Sequence, residues 1–265
     1  MVQKINGQAI AEKIKDKIAK EIHNFNGPRP NLAIILVGER EDSKLYVSLK
    51  EREGKKVGVD THLYKLGADV PEPELLEVID FLNKDETVDG ILIQLPLPEK
   101  FNTDKIIAAL NPEKDVDGFH PEHPDYIISP VLAAIDACLT NINFAPVGKM
   151  ATVLYNSEVF GQEIRALLEA KGMKVNLKTK SEEADLLVTA LGEPQKVKAA
   201  VIKKEAVIID IGISGVNGQV FGDVDFKDIK DKASFITPVP GGIGPMTIAF
   251  LFKNVLEIFK RRKNQ

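Results

Sequence analysis

"ATVLYNSEVFGQEIRALLEAKG", residues 151–172, has the outline of a strand that runs through a turn into a helix. In α/β proteins such a turn commonly holds a nucleotide's phosphates, because the first helical N–H groups are unpaired and the helix dipole favours an anion. Here Gly161 is the only glycine near the turn, and two acids, Glu158 and Glu163, accompany it. The stretch reads either as a dinucleotide site of unusual composition or as one that has lost its phosphate-reading chemistry.

Outward from this turn, the second half of the chain continues the strand and helix alternation, with strands expected at "MATVLY", "KVNLK", "DLLVTAL" and "AVIIDIGI". The first half has the same rhythm: "NLAIILVG", a charged helix from about Asp42 to Val57, "THLYKL", a helix near residues 71–84, and "DGILIQLPLP". Buried β-branched runs separated by helices indicate an α/β fold with mostly parallel sheet covered on both faces. A proline-rich passage from Leu95 to Pro130 breaks the rhythm, and "PVLAAIDACLTNI" reads as a helix leading into the second series. The division expected is an α/β unit over residues 1–130 and a second over 131–243. The last helix, from about Gly244 to Arg262, is free by its sequence to pack on either.

At 265 residues with 44% hydrophobic content, the chain can build a sizeable core without staples. Its single cysteine, Cys138, forms no internal disulfide and has no partner for a cysteine-type zinc site. A net charge of -4 argues against a general nucleic-acid binder, and the basic tail "KRRKNQ" reads as a solvated helix end. No segment approaches the roughly 20 apolar residues that span a bilayer. The expected setting is cytoplasmic, with no nucleic-acid or membrane partner.

Four stretches carry candidate chemistry. In "EDSKLYVSLKEREGKKVG", Asp42 or Ser43 is the expected N-cap and Gly58 the C-terminal stop. Tyr46 and Lys50 are four apart and share a face; they read either as an aromatic platform beside a proton-transferring amine or as a solvated surface pair. Gln94 ends the strand of "GILIQLPLP", which would set its amide at the carboxyl edge of a parallel sheet. "NPEKDVDGFHP" brings Asp115, Asp117 and His120 into one loop; their spacing matches no recognised metal set, and an aspartate accepting hydrogen bonds from a ligand's amino group explains them better. "TPVPGGIGPMT" packs three prolines and three glycines into eleven residues, as a close-approach loop with room for a cis X-Pro bond or as a tight connector.

In order and spacing, "YVSLK", "ILIQLPLP", "PEKDVDGFHP", "GDVDF" and "TPVPGGIGPMT" resemble the signatures of the bifunctional methylenetetrahydrofolate dehydrogenase/methenyltetrahydrofolate cyclohydrolase family. The resemblance runs from about residue 4 to the C-terminus. It implies an N-terminal folate and catalytic domain, rejoined by the C-terminal helix 244–265, and a Rossmann-like dinucleotide-binding domain that forms a homodimer. By it Lys50 is the catalytic lysine, Tyr46 packs on the pterin, and Gln94 supports the lysine. Asp117 holds the pterin ring, and Pro240 and Gly241 line the folate pocket. The activities implied are oxidation of 5,10-methylenetetrahydrofolate and hydrolysis of 5,10-methenyltetrahydrofolate to 10-formyltetrahydrofolate. Runners-up are a cyclohydrolase without dehydrogenase activity and a non-catalytic folate-binding member.

The cofactor half departs from the family's pattern. Where members read close to "GRSxxVGxP", this chain has "YNSEVFGQE": Tyr155 replaces the glycine, Asn156 the arginine that meets the 2'-phosphate of NADP, and Glu163 the proline. Ser157, Gly161 and Ile213 remain for a dinucleotide, and Lys178 or Lys180 is the candidate substitute cation. NADP or NAD is expected to bind weakly, with NADP no better than NAD.

Overall fold

The computed structural model describes residues 2–263. In chain order, strand β1 (Gln3–Lys4) leads to helix α1 (Gly7–Asn24), β2 (Asn31–Val37), α2 (Glu41–Val57), β3 (Asp60–Leu66), α3 (Glu72–Lys84), β4 (Gly90–Ile93), the short α4 (Thr103–Ile107) and α5 (Pro130–Asn141). The second series is β5 (Met150–Tyr155), α6 (Glu158–Ala170), β6 (Lys174–Leu177), β7 (Leu186–Ala190), β8 (Val207–Asp210), β9 (Ser214–Val216), β10 (Gln219–Phe221), α7 (Phe226–Ile229), β11 (Phe235–Ile236) and α8 (Ile243–Lys263). The chain divides into two compact units: Glu12–Pro130 with the chain from Ile248 onward, and Val131–Thr247 with the chain start through Ala11.

The first unit is built on β2, which pairs in parallel with β3 on one side and β4 on the other. Every residue of β2 from Leu32 to Val37 is buried, as a strand covered on both faces must be. Its side chains alternate between two cores. Leu32, Ile34 and Leu36 meet Ile18 of α1, Val47 of α2, and Leu251, Phe252, Val255 and Phe259 of α8. Ala33, Ile35 and Val37 meet Leu75, Ile79 and Leu82 of α3 and Ile106 of α4. The period of two in the strand against the 3.6-residue period in the helices produces this three-layer arrangement.

Two expectations for this unit need correction. Helix α2 begins one residue earlier than expected, with Arg40 at its N-cap position and no side-chain cap. Asp42 is inside the first turn, where its carboxylate takes the Arg40 guanidinium at 2.6 Å, and Ser43 is buried. Gly58 closes the helix in the left-handed region, φ +87°, as its position implied. The boundary also differs at the start: residues 2–11 go with the second unit, because β1 extends that unit's sheet by pairing with β11.

The second unit has a six-stranded, all-parallel sheet in the order β1-β11-β8-β7-β5-β6. The run expected as one strand, "AVIIDIGI", is shorter: β8 ends at Asp210, whose carboxylate accepts from the Gly212 amide at 3.1 Å and turns the chain toward the antiparallel β9–β10 hairpin. Among the described residues, no helix is long and apolar enough to cross a membrane.

Candidate active site

In the first unit, three segments converge at the carboxyl edge of β2 and β4. Helix α2 comes close to the sheet because Gly54 lacks a side chain: a Cβ there would lie 2.8 Å from the Thr61 side chain and 3.1 Å from Phe252. Helix α2 then presents Lys50 to the end of β4. There Gln94 continues the ladder by donating its backbone N–H to the Ile35 carbonyl at 2.9 Å. The Gln94 Nε2 donates to the Leu95 carbonyl at 2.7 Å, which turns Oε1 toward Lys50 to accept from Nζ at 2.9 Å. The Leu95–Pro96 peptide that follows is cis.

Asp117 completes the group. Its turn is held from below by Asp115, which is buried and accepts from the backbone N–H groups of Asp117 at 3.1 Å and His120 at 2.7 Å. Lys114 anchors the segment before it by donating to three carbonyls at the end of α3, those of Leu82, Asn83 and Asp85. Asn254 of α8 reaches the same turn, donating to the Val116 and Ile128 carbonyls at 2.9 Å each. Ile93, Leu110 and Phe119 line a small pocket, open to solvent, that includes Asp115 and Asp117 in its wall.

The electrostatics of the group follow from desolvation and one ion pair. Burial pushes the Lys50 pKa below the ordinary lysine value, while the Asp117 charge pushes it back up. Burial raises Asp117 to about 6; Lys50 lowers it, and Asp115 adds to the rise. The tyrosine one turn before the lysine, Tyr46, is half-buried and its hydroxyl is pushed up by burial. This is an arrangement that can exchange a proton beside an aromatic face and a hydrogen-bonding carboxylate.

The loop histidines take structural parts. His120 accepts the Glu122 N–H at Nδ1, 3.0 Å, and its Nε2 lies 3.3 Å from the Ala108 carbonyl. Among the described residues no three His, Cys, Asp or Glu side chains gather as a metal site. Pro240 and Gly241 lie in the second unit, on the loop between β11 and α8. The Val239–Pro240 peptide is cis, Gly241 has φ +99°, and its carbonyl accepts from the Gln8 N–H at 3.1 Å.

The turn quoted first is also in the second unit. Ser157 is the N-cap residue of α6 and makes no side-chain cap, so the first helical N–H groups keep their capacity for a ligand. Behind the turn, however, the Tyr155 ring lies against Gly161, where a Cβ would approach its atoms to 2.4 Å. Asn156 donates to the Leu191 carbonyl at 2.9 Å and thereby joins the ends of β5 and β7. Ile213 is 44% exposed, at the entry to the β9–β10 hairpin. Scaffold and free amides fit a dinucleotide; a spare cation for a 2'-phosphate is not supplied by the turn itself.

Asp210 of "DIGI" and Asp223 of "GDVDF" carry no spacing signal of a role in the sequence. The structure gives them one. Asp223, fully buried, accepts from the N–H groups of Leu191 at 2.6 Å and Glu193 at 3.0 Å. Asp210 accepts from the Asp223 and Val224 N–H groups and from the Thr189 hydroxyl, and burial pushes it up to about 6. Gly212 and Gly222 make room for them, since a Cβ at either would lie within 2.2 Å of a carboxylate atom. The pair therefore ties together the loops after β7 and β8, the carboxyl edge where α/β folds hold nucleotides.

One unit thus carries a proton-handling site and the other a dinucleotide-type βα turn, which together define a nucleotide-dependent α/β enzyme. The chain belongs to the tetrahydrofolate dehydrogenase/cyclohydrolase family. Residues 5–117 match the model of its catalytic domain, and residues 130–263 that of its NAD(P)-binding domain. It is 39% identical to the bifunctional protein FolD of Aquifex aeolicus, over 97% of this chain and 95% of the relative. Among solved structures, FolD methylenetetrahydrofolate dehydrogenase/cyclohydrolase of Campylobacter jejuni matches with TM-score 0.94 at 33% identity, over 99% of this chain and all of that one. The Trypanosoma brucei enzyme, complexed with NADP and an inhibitor, matches with TM-score 0.92 at 30% identity, over 100% of this chain and 99% of that one.

Proposed function

We infer that the chain is a folate one-carbon enzyme that oxidises 5,10-methylenetetrahydrofolate and hydrolyses the resulting 5,10-methenyltetrahydrofolate to 10-formyltetrahydrofolate. The observation that carries this reading is the Lys50–Gln94 hydrogen bond with Asp117 close enough to act on the lysine's charge. In hydrolysis, Lys50 takes one proton from the water whose oxygen bonds to the methenyl carbon and returns it to the folate N5 as the C–N5 bond breaks, while the second water proton leaves to solvent as the hydroxyl becomes the formyl C=O. Gln94 keeps the amine directed, Tyr46 stacks on the pterin, and Asp117 accepts hydrogen bonds from the pterin amino group and ring N–H. A bound nicotinamide dinucleotide supplies the hydride acceptor for the oxidation; Ser157, Gly161 and Ile213 contribute to its site. The test is to follow loss of methenyltetrahydrofolate absorbance, and reduction of NAD and of NADP by methylenetetrahydrofolate, on one preparation. Hydrolysis without reduction of either dinucleotide would leave a cyclohydrolase alone, and neither reaction would leave a folate-binding protein.

Asp117→Ala is expected to raise the folate KM more than it lowers kcat, because the carboxylate holds substrate and takes no part in bond changes. With wild type, binding of a folate analogue should weaken as pH falls through about 6, where the acceptor carboxylate becomes protonated. Equal analogue binding by both proteins, or a flat profile from pH 5 to 7, would remove Asp117 from the pterin site.

The dinucleotide is expected to bind weakly, because Asn156 and Tyr155 replace the phosphate-reading arginine and the glycine of the turn. We further assign a homodimer formed through the second unit, on family resemblance. Light scattering at micromolar concentration should give twice the 29.1 kDa chain mass, and a monomer would contradict it. A cytoplasmic setting is assigned from the unpaired, buried Cys138.

A further inference from the structure

Glu158, one of the two acids at the start of α6, is bound into a cluster at the end of β5 and β6. Both carboxylate oxygens of Glu158 accept from the Tyr155 hydroxyl at 3.0 Å, and Oε1 also accepts from Gln162 Nε2 at 2.9 Å. Lys178, the first residue after β6, places its ammonium 3.7 Å from Glu158 Oε2 and 4.1 Å from the centre of the Tyr155 ring. Tyr155 itself is only 4% exposed, so its ring is a fixed platform for both charges.

The position of Lys178 matters. In a dinucleotide-binding α/β unit, the residue at the end of the second strand, about 20 residues beyond the phosphate turn, reads the adenosine ribose: an acid there takes the 2'-hydroxyl, a cation the 2'-phosphate. Lys178 stands 22 positions after Asn156. Its charge is matched by Glu158, which stands in the first turn of α6, where an incoming phosphate would also approach.

We propose that Glu158, by holding Lys178 in an ion pair on the Tyr155 ring, makes this ribose-reading position neutral and gives the protein a preference for NAD over NADP. The inference rests on the reading that the second unit binds a dinucleotide, and it adds the residue that selects between the two. A 2'-phosphate would have to displace the Glu158 carboxylate from Lys178 or sit beside it as a like charge. A 2'-hydroxyl carries no charge and meets no such repulsion. The lowered pKa of Glu158, from its bonds to Gln162 and Tyr155 and from Lys178, keeps it charged throughout the neutral range. Lys180, two residues on, makes no ion pair with Glu158 and is the alternative cation.

The test is calorimetric titration of the full chain with NAD and with NADP, for wild type, Glu158→Gln and Glu158→Gln/Lys178→Met. Wild type should bind NAD at least about tenfold more tightly than NADP. Glu158→Gln should strengthen NADP binding by about tenfold or more and leave NAD within about twofold, and the added Lys178→Met should abolish the gain. Melting curves report whether each variant is folded; Glu158 is exposed, so its change to glutamine is tolerated. If both cofactors bind but Glu158→Gln leaves their ratio unchanged, the selector role is overturned and the dinucleotide site stands. Tight, NADP-selective binding by wild type would overturn it too and point to Lys180. If neither cofactor binds any of the proteins at millimolar concentration, the dinucleotide reading itself fails and the selector falls with it.

Discussion

Replacing Lys50 with methionine is expected to lower hydrolysis of 5,10-methenyltetrahydrofolate by about 10²- to 10⁴-fold, the usual worth of a positioned proton-transfer group. Methionine keeps the length and apolar stem of the lysine, so α2 and its packing through Val47 and Gly54 are undisturbed. What is lost is an amine whose pKa burial lowers, so that more of it stands unprotonated and able to take a proton than in an ordinary lysine. Lys50→Arg should not rescue the reaction, because a guanidinium holds its proton across the whole accessible pH range. Both variants should melt with wild-type cooperativity. A methionine variant that hydrolyses at near-normal rate would take Lys50 out of the mechanism.

Replacing Glu53 with glutamine is expected to destabilise the first unit by about 3 kcal/mol at pH 7. Glu53 and Lys15 have side chains only 8% and 7% exposed and are directly paired between α2 and α1; Lys56 and Arg52 reach the other carboxylate oxygen at 2.9 and 3.1 Å. Desolvation opposes the charged form of Glu53, but these three cations outweigh it and hold the carboxyl at about 2. The sign follows. A carboxyl whose folded pKa is depressed stabilises the fold above its unfolded value, near 4.5, and that contribution is lost as pH falls through about 2. In urea titrations the gap between wild type and Glu53→Gln should be full at pH 6 to 8, shrink below pH 4.5 and nearly vanish at pH 2. A gap that stays constant over that range would show that Glu53 acts through shape and not through charge.

The strand and helix rhythm, the parallel class of the sheets and the family's motifs were legible in the sequence because each depends on a short window. The unbroken apolar run of β2 requires burial on both faces wherever the strand ends up, and a glycine at position 58 stops α2 through its own backbone freedom. The helical spacing likewise set Tyr46 and Lys50 on one face. What spacing left open was whether that face is wet or dry, and so whether Lys50 is a solvated cation or a base. Its partners decided it: Gln94 lies 44 positions along the chain, and Asp117 farther still. The same holds for the errors. Asp42 or Ser43 was expected to cap α2, but the Arg40 side chain pairs with the Asp42 carboxylate and Ser43 is buried. Residues 1–11 were expected in the first unit, but β1 pairs with β11 near the opposite end of the chain. The sequence shows Glu158 only as an acid beside a phosphate-type turn; the fold brings Lys178 and the Tyr155 ring to it. Local propensity specifies which segments become strands and helices. The charge state of a side chain depends on which faces meet after folding, and contacts between distant segments make that choice.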